Sequence, residues 1–420
     1  MMQKAEESAD EVAGLCSGLV KFNSAHPEAR TDNCVEYIKE YFDKYNIENE
    51  IHSCNPIKSN IVAKVGPSNG KKILWVGHLD VVPEGKPEMW KHPAYSGIIT
   101  DDGYIWGRGT SDMKGACAAA MVSARLLNEI EDLNHKVEYW FTADEEIGGG
   151  DGARWLAESG RLKGDVCIIG DGNGGGPDNP SIDMGCKGSL GTKLVAKGKT
   201  AHGSTPYLGD NAISKLIKVI PWVEKIGDYK LELPDELDEA IESSVKYYIG
   251  TQNLDSEEKM NDAKKLFNYP TVACNIISGG IKNNVVPDYA EATFDIRLPP
   301  GSKPIVVKER IVKLVKEAGI PDVIVEVRAS ETAGYYESPY TEFSKQLALT
   351  VEKVTGDCPV FKILTGGTDA ISIKRYTGIP CLGYGTSLVG MAHQPDERVT
   401  IENLVLGIKV YAGFPLIYQC

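Results

Sequence analysis

Two imidazoles and five carboxylates stand out along this chain: His78, Asp80, Asp112, the adjacent pair Glu145 and Glu146, Asp171 and, far downstream, His393. Each lies at the end of an apolar run or in a turn. Imidazole and carboxylate are the usual ligands of zinc, and one carboxylate can bridge two ions. One such residue means little. The set in this order points to two neighbouring divalent metals and to metal-assisted hydrolysis.

Taken singly, each residue also has an ordinary explanation. His78 and Asp80 are two apart, and on an extended segment such positions point to one side. Asp80 is therefore predicted to accept the second ring N–H of His78 and fix its tautomer while the other nitrogen binds metal; the alternative is a His and an Asp capping a strand. Asp112 lies in Gly107-Arg108-Gly109-Thr110-Ser111-Asp112-Met113-Lys114-Gly115, a tight loop at a helix start. An N-cap is the common role for an Asp there, but beside the other ligands it reads as a bridging carboxylate. Glu145 and Glu146 are neighbours at a strand end, where adjacent side chains diverge. Glu146 is assigned to metal and Glu145 to a water, as general base; a solvated acidic turn with Asp144 is the plain alternative. Asp171 sits in Gly170-Asp171-Gly172-Asn173-Gly174-Gly175, a formal match to a dinucleotide fingerprint. Pro177 and Pro180 follow it in place of the helix that would receive a pyrophosphate, so a nucleotide-dependent oxidoreductase is disfavoured. His26, His52, His92 and His135 have no partnered pattern and read as surface or structural.

These residues need elements to hold them. Residues 73–77, 137–142 and 166–169 are apolar runs that read as buried strands, ending just before His78, Ala143-Asp144-Glu145-Glu146 and Gly170-Asp171. Residues 113–130 are Ala-rich and helical, with Asp112 at the entrance. Such alternation predicts an α/β sheet flanked by helices, and sites in open α/β sheets form outside the carboxyl ends of the strands. After Asp183 the character changes. A strand-like stretch (190–197), a helical run (211–225), an acidic, helical-looking insertion (230–268) and two further strand-like segments (272–277, 290–296) precede the break at Leu298-Pro299-Pro300-Gly301. This predicts a catalytic domain in two pieces, 1–186 and 298–420, around an inserted domain at 187–297.

Length and composition agree with that division. At 420 residues the chain suggests two or three domains. Its net charge of −14 argues against nucleic acid, whose readers carry a basic face. No apolar stretch is long enough to span a bilayer, and the first twenty residues lack the pattern of a signal peptide. Ten scattered cysteines without C-x-x-C spacing suggest reduced thiols and a cytoplasmic location.

The chain resembles the zinc deacylase and peptidase family that includes acetylornithine deacetylase, succinyl-diaminopimelate desuccinylase, aminoacylase and carboxypeptidase G. The likeness rests on Gly77-His78-Leu79-Asp80-Val81-Val82-Pro83, the loop from Gly107, Ala143 to Gly148, Ala201-His202-Gly203-Ser204, Asp295-Ile296-Arg297-Leu298-Pro299-Pro300-Gly301, Gly366-Gly367-Thr368-Asp369-Ala370 and Ala392 to Glu397, in family order. The resemblance implies a zinc-peptidase-type mixed sheet with an inserted α+β, ferredoxin-like lid that forms a homodimer. It implies two divalent ions, zinc with cobalt or manganese as substitutes. His78, Asp112 and Asp171 would hold one; Asp112, Glu146 and His393 would hold the other. Asp80 would orient His78, Glu145 would be the base, and His202 would reach the neighbouring subunit's site to stabilise the oxyanion. Asn284 and Arg297 would be lid contacts, and Gly367 and Thr368 would line the substrate pocket.

The expected reaction is hydrolysis of the amide bond of an N-acyl amino acid, with a dipeptidase or carboxypeptidase as the rival within the family. A metal-binding module without catalysis is the alternative of another class; retention of Glu145, which need not bind metal, argues against it. Desuccinylases and acetylornithine deacetylases of this family usually have Glu where this chain has Asp171, and several dipeptidases have Asp. The 230–268 insertion also enlarges the lid.

Overall fold

The buried runs form the centre of a mixed sheet in the computed structural model, which describes residues 1–419 except 173, 175, 253 and 328–332. The chain divides into two compact units: residues 1–185, 337–362 and 368–420, and residues 186–336 with 363–367.

In the first unit the strand order is Glu48–Asn55, Lys58–Val65, Lys136–Thr142, Lys72–His78, Val166–Ile169, Cys381–Gly383, Ser181–Cys186. Lys72–His78 runs parallel to both neighbours, and Val166–Ile169 is parallel to Cys381–Gly383. The outer pairings are antiparallel. Parallel central strands need cover on both faces, which is why they are continuous apolar runs rather than alternating ones. Helix Gly115–Asn128 has twelve buried residues, five of them alanine, and packs against Ala9–Val20 and Ile401–Ile417. Small side chains let these helices approach closely. At Gly407 a Cβ would stand 3.2 Å from the Ala119 Cβ and 2.5 Å from the Thr386 methyl, so only glycine fits.

The second unit holds a five-stranded antiparallel sheet in the order Thr271–Gly279, Tyr289–Leu298, Thr192–Lys197, Val323–Val327, with the short Gly188–Ser189 also paired to Tyr289–Leu298. Helices Ala212–Glu224 and Pro304–Glu317 bury Leu216, Val219, Val223, Val307, Ile311 and Leu314 in one core with it. Read along the chain this is β-α-β-β-α-β, the ferredoxin-like arrangement. Its extent corrects the expected boundary at 297. The Pro-Pro-Gly break is a turn between a strand and a helix, and the helix and strand after it complete the sheet's core. The insertion carries helices Asp238–Thr251 and Glu257–Lys265. Among the described residues no helix is long and apolar enough to cross a membrane.

Candidate metal centre

His78 is the last residue of its strand and buried, so the sheet itself sets its position. Asp112 is carried by an irregular turn before the alanine-rich helix, with φ −126° and ψ 92°, and the helix's N-cap position falls on Lys114 instead. The N-cap explanation therefore fails. Gly109 starts the turn at φ +88°, and a Cβ there would meet Val81 at 2.8 Å.

The Asp112 carboxylate lies between the two imidazoles. Its Oδ1 is 3.1 Å from His78 Nε2 and its Oδ2 is 3.2 Å from His393 Nε2. Glu146 Oε2 is also 3.2 Å from His393 Nε2. Ligand atoms of His78, Asp112 and Glu146 all fall within 4.8 Å of one another. His78 Nε2 and Asp112 Oδ1 are nevertheless buried without a hydrogen bond among the described residues. Buried polar atoms are normally paired, and two such orphans on facing ligand groups fit an ion between them. Asp112, with one oxygen toward each imidazole, has the geometry of a bridge between two ions.

Asp171 follows strand Val166–Ile169 and its glycine loop runs into strand Ser181–Cys186, not into a helix. Residues 173 and 175 of that loop lie outside the described residues. Burial, and next the charge of Asp112, push the Asp171 carboxyl up to about 8. Burial also opposes ionisation of Asp112, but the imidazoles of His393 and His78 beside it outweigh that and hold the carboxyl below the usual range. The same contacts, to Asp112 and Glu146, raise His393 to about 10. Burial raises Glu145 well above an ordinary glutamate, with Asp369, Asp171 and Glu146 adding to it and His78 opposing.

Comparison with known proteins decides what kind of centre this is. Residues 74–416 match the profile of Peptidase family M20/M25/M40. The chain belongs to that family. It is a metal-dependent hydrolase acting on amide bonds. A protein named as a probable succinyl-diaminopimelate desuccinylase of Staphylococcus aureus strain Mu50 is 31% identical over 404 residues, covering 92% of this chain and 95% of the relative. An M20 family metallo-carboxypeptidase from Sulfolobus solfataricus superposes with a TM-score of 0.79 at 25% identity, over 97% of this chain and 99% of that one. A Bacillus subtilis protein described as a dinuclear metal binding peptidase of the M20 family shares the fold (TM-score 0.63, 18% identity, 98% of each chain).

The structure corrects the expected role of Asp80. His78 Nδ1 is 2.9 Å from the Asp80 backbone oxygen, whereas the nearest carboxylate oxygen is 3.7 Å away. The chain leaves the strand at His78, so the side of an extended segment no longer applies. The Asp80 carboxylate instead accepts the backbone N–H groups of Glu145 (3.1 Å) and Glu146 (3.2 Å). A second clamp holds the same turn. Asp144, at φ 69°, takes Lys58 Nζ at 2.5 Å and the Asp151 N–H at 3.2 Å.

Other residues of the family pattern lie in the second unit. His202 is exposed and its Nδ1 is engaged by Ser204 Oγ at 2.7 Å, so Nε2 is the ring nitrogen that remains. The Asn284 carbonyl accepts the Gly203 N–H beside it. Arg297 pairs through Nε with Asp295 at 2.9 Å, as a strand-end arginine beside a surface acid would. Gly367 also belongs to this unit, whereas Thr368 is buried in the first, at the start of helix Ala370–Thr377.

Sequence reasoning missed Glu397 and Asp369. Glu397 is wholly buried, and one carboxylate oxygen accepts three N–H groups, from Gly109 (3.0 Å), Ser111 (2.9 Å) and Asp112 (3.0 Å). Its other oxygen takes Arg108, whose guanidinium lies over Trp90. Four residues after His393, it ties the His393 loop to the Asp112 turn. Asp369, also buried, accepts the Thr142 hydroxyl at 3.1 Å. Both stood in quoted motifs, but a motif does not show what its side chains touch. Glu397→Gln is expected to weaken metal binding roughly 10–100-fold, because an outer group that orients a ligand carries that weight. Competition with a chelator measures it, and unchanged affinity would show that the turn holds without the carboxylate.

Proposed function

We propose that this enzyme hydrolyses N-acyl amino acids, desuccinylation first among them, in the cytoplasm and as a homodimer. The observation that carries the substrate is the likeness to the probable desuccinylase of Staphylococcus aureus over nearly the whole of both chains. In this proposal His78, Asp112 and Asp171 hold one ion and Asp112, Glu146 and His393 the other, zinc being suited to such imidazole and carboxylate donors.

When bound, the ions supply Lewis acidity toward a carbonyl and lower the pKa of water. The chain's own residues do the rest. Glu145 accepts the proton of the attacking water and returns it to the leaving amine. Its unligated carboxylate and its raised pKa suit that traffic. His202 reaches the neighbouring subunit's site and donates from Nε2 to the carbonyl oxygen there as it becomes negative. Arg297 and Asn284 receive the substrate carboxylate, a group that arginine grips at two points, and Gly367 and Thr368 line its pocket.

The dimer has support in the second unit. There the edge strand and its surroundings expose Ile276, Ile277 and Ile281, the last at 93%, with Ile217, Tyr207 and Leu208 also exposed. Large apolar side chains exposed at and near a sheet edge suit association with a second copy. Sedimentation as a monomer at micromolar concentration would oppose the dimer.

A dipeptidase or carboxypeptidase reading is favoured by Asp171 and by the Sulfolobus solfataricus carboxypeptidase. Assay of metal-loaded protein on N-succinyl-diaminopimelate, N-acetylornithine and a panel of dipeptides separates them. Turnover of an acyl amino acid at least tenfold faster than any dipeptide is expected. The reverse order overturns the substrate, and no turnover of any amide would leave only a metal-binding module.

A further inference from the structure

His26 is outside every motif so far described, and its ring reaches the Asp80 carboxylate that holds the turn carrying Glu145. The segment before it lies alongside the chain that leaves the His78 strand. Val81 N–H donates to the Ser24 carbonyl at 3.1 Å, His26 N–H to the Val81 carbonyl at 3.2 Å, and the Ser24 hydroxyl to the Leu79 carbonyl at 2.6 Å. A parallel bridge pairs Ala25 with Val81. This pairing places His26 Nε2 2.9 Å from Asp80 Oδ2. Asp80 is completely buried and the His26 side chain is 11% exposed, so little water competes.

An ionised carboxylate only accepts, so Nε2 carries the proton of this hydrogen bond. Asp80 then has three donors: the His26 ring and the backbone N–H groups of Glu145 and Glu146. Oδ1 also stands 3.7 Å from His78 Nδ1, whose own partner is the Asp80 carbonyl at 2.9 Å. Among the described residues the ring of His26 is the only side chain that hydrogen-bonds the Asp80 carboxylate.

We propose that His26 is a positioning residue for the reaction: through Asp80 it fixes the backbone of Glu145 and Glu146, and so aims the general base. The proposal rests on Glu145 being that base. Removing the ring lets Asp80 turn toward His78 Nδ1, and the Glu145 and Glu146 amides lose their acceptor. The base then samples more directions while His78 and Asp112 stay where the sheet and the Glu397 clamp hold them.

The experiment compares metal-loaded His26→Leu and His26→Gln enzymes with the parent. In His26→Leu, hydrogen exchange over residues 143–149 is expected to quicken about tenfold, the equivalent of one lost hydrogen bond. The kcat should fall roughly tenfold, with KM within twofold and metal content unchanged. His26→Gln, which offers an N–H at similar reach, should recover most of both losses. Unchanged exchange in His26→Leu, or equal losses in the two variants, overturns the proposal, since a merely structural side chain would not be rescued by a donor. If His26→Leu does not fold, His26→Asn, polar but too short to reach Asp80, replaces it with the same expectations. A Glu145→Gln control that keeps full kcat, alongside quickened exchange in His26→Leu, would instead overturn the assignment of the base.

Discussion

Replacing Glu145 by Gln is expected to lower kcat by roughly 10²–10⁴-fold, the range for removal of a general acid–base group, with KM and bound metal nearly unchanged. Gln keeps the size and the polarity of the side chain but cannot take a proton from water. The geometry supports so selective an effect. The Glu145 amide is held by Asp80, and the residue before it is locked at positive φ by Lys58. Its own carboxylate makes no hydrogen bond among the described residues and is outside the His78, Asp112 and Glu146 group. Burial raises its pKa, which makes it a stronger base once ionised and a ready acid once protonated. The contrast with its neighbour is the control. Glu146→Gln should lose metal as well as activity, because Glu146 stands 3.2 Å from His393 and within the ligand group. Metal analysis and steady-state kinetics on both variants test this. A Glu145→Gln enzyme within tenfold of the parent would remove Glu145 from the chemistry.

What could be read from the chain follows from how local the signal is. The strand ending at His78 was legible because a fully buried parallel strand must be a continuous apolar run, and residues 73–77 are one. The alanine-rich helix was legible for the same reason, every face being covered. The role of Asp80 was misread because an i, i+2 rule assumes the strand continues, and it stops at His78. His26 could not be paired with Asp80 from the sequence at all: 54 residues separate them, and only the tertiary run of Ser24 beside Val81 joins them. Glu397 is similar, since its three amide partners are nearly three hundred residues upstream. The break at Pro299-Pro300 was taken for a domain end because proline and glycine mark turns without saying which core lies beyond them. Pattern reports what a segment is; the long-range partner decides what its polar groups do.

Stripping the metals is expected to destabilise the protein by an amount that grows with pH. Asp112, Glu145, Glu146 and Asp171 are gathered in the first unit with two imidazoles, and the carboxylates repel one another in partly desolvated surroundings. With the ions chelated, protons take over their role. Burial raises Asp171 to about 8 and Asp369 to about 7, and its two carboxylate partners raise His393 to about 10. A group whose folded pKa lies above its unfolded value binds its proton more tightly when folded, so stability falls as pH rises across that interval. For the two aspartates the contribution is whole below about pH 4 and is lost as pH passes about 7 and about 8. For His393 it is whole below about pH 6.5 and is lost on approaching about 10. The opposing case, Asp112 with its depressed pKa, matters only in acid. Metal ions bind the deprotonated ligands, so their affinity rises over the same range. A ligand at a thousand times its Kd adds about 4 kcal/mol to stability. The gap in Tm between metal-loaded and chelator-treated protein should therefore widen steadily from pH 5 to pH 9, mainly because the chelated form melts earlier. Thermal unfolding of the two forms across that series measures it, and a gap that is constant or narrows with pH would mean that these groups do not share their protons with a metal site.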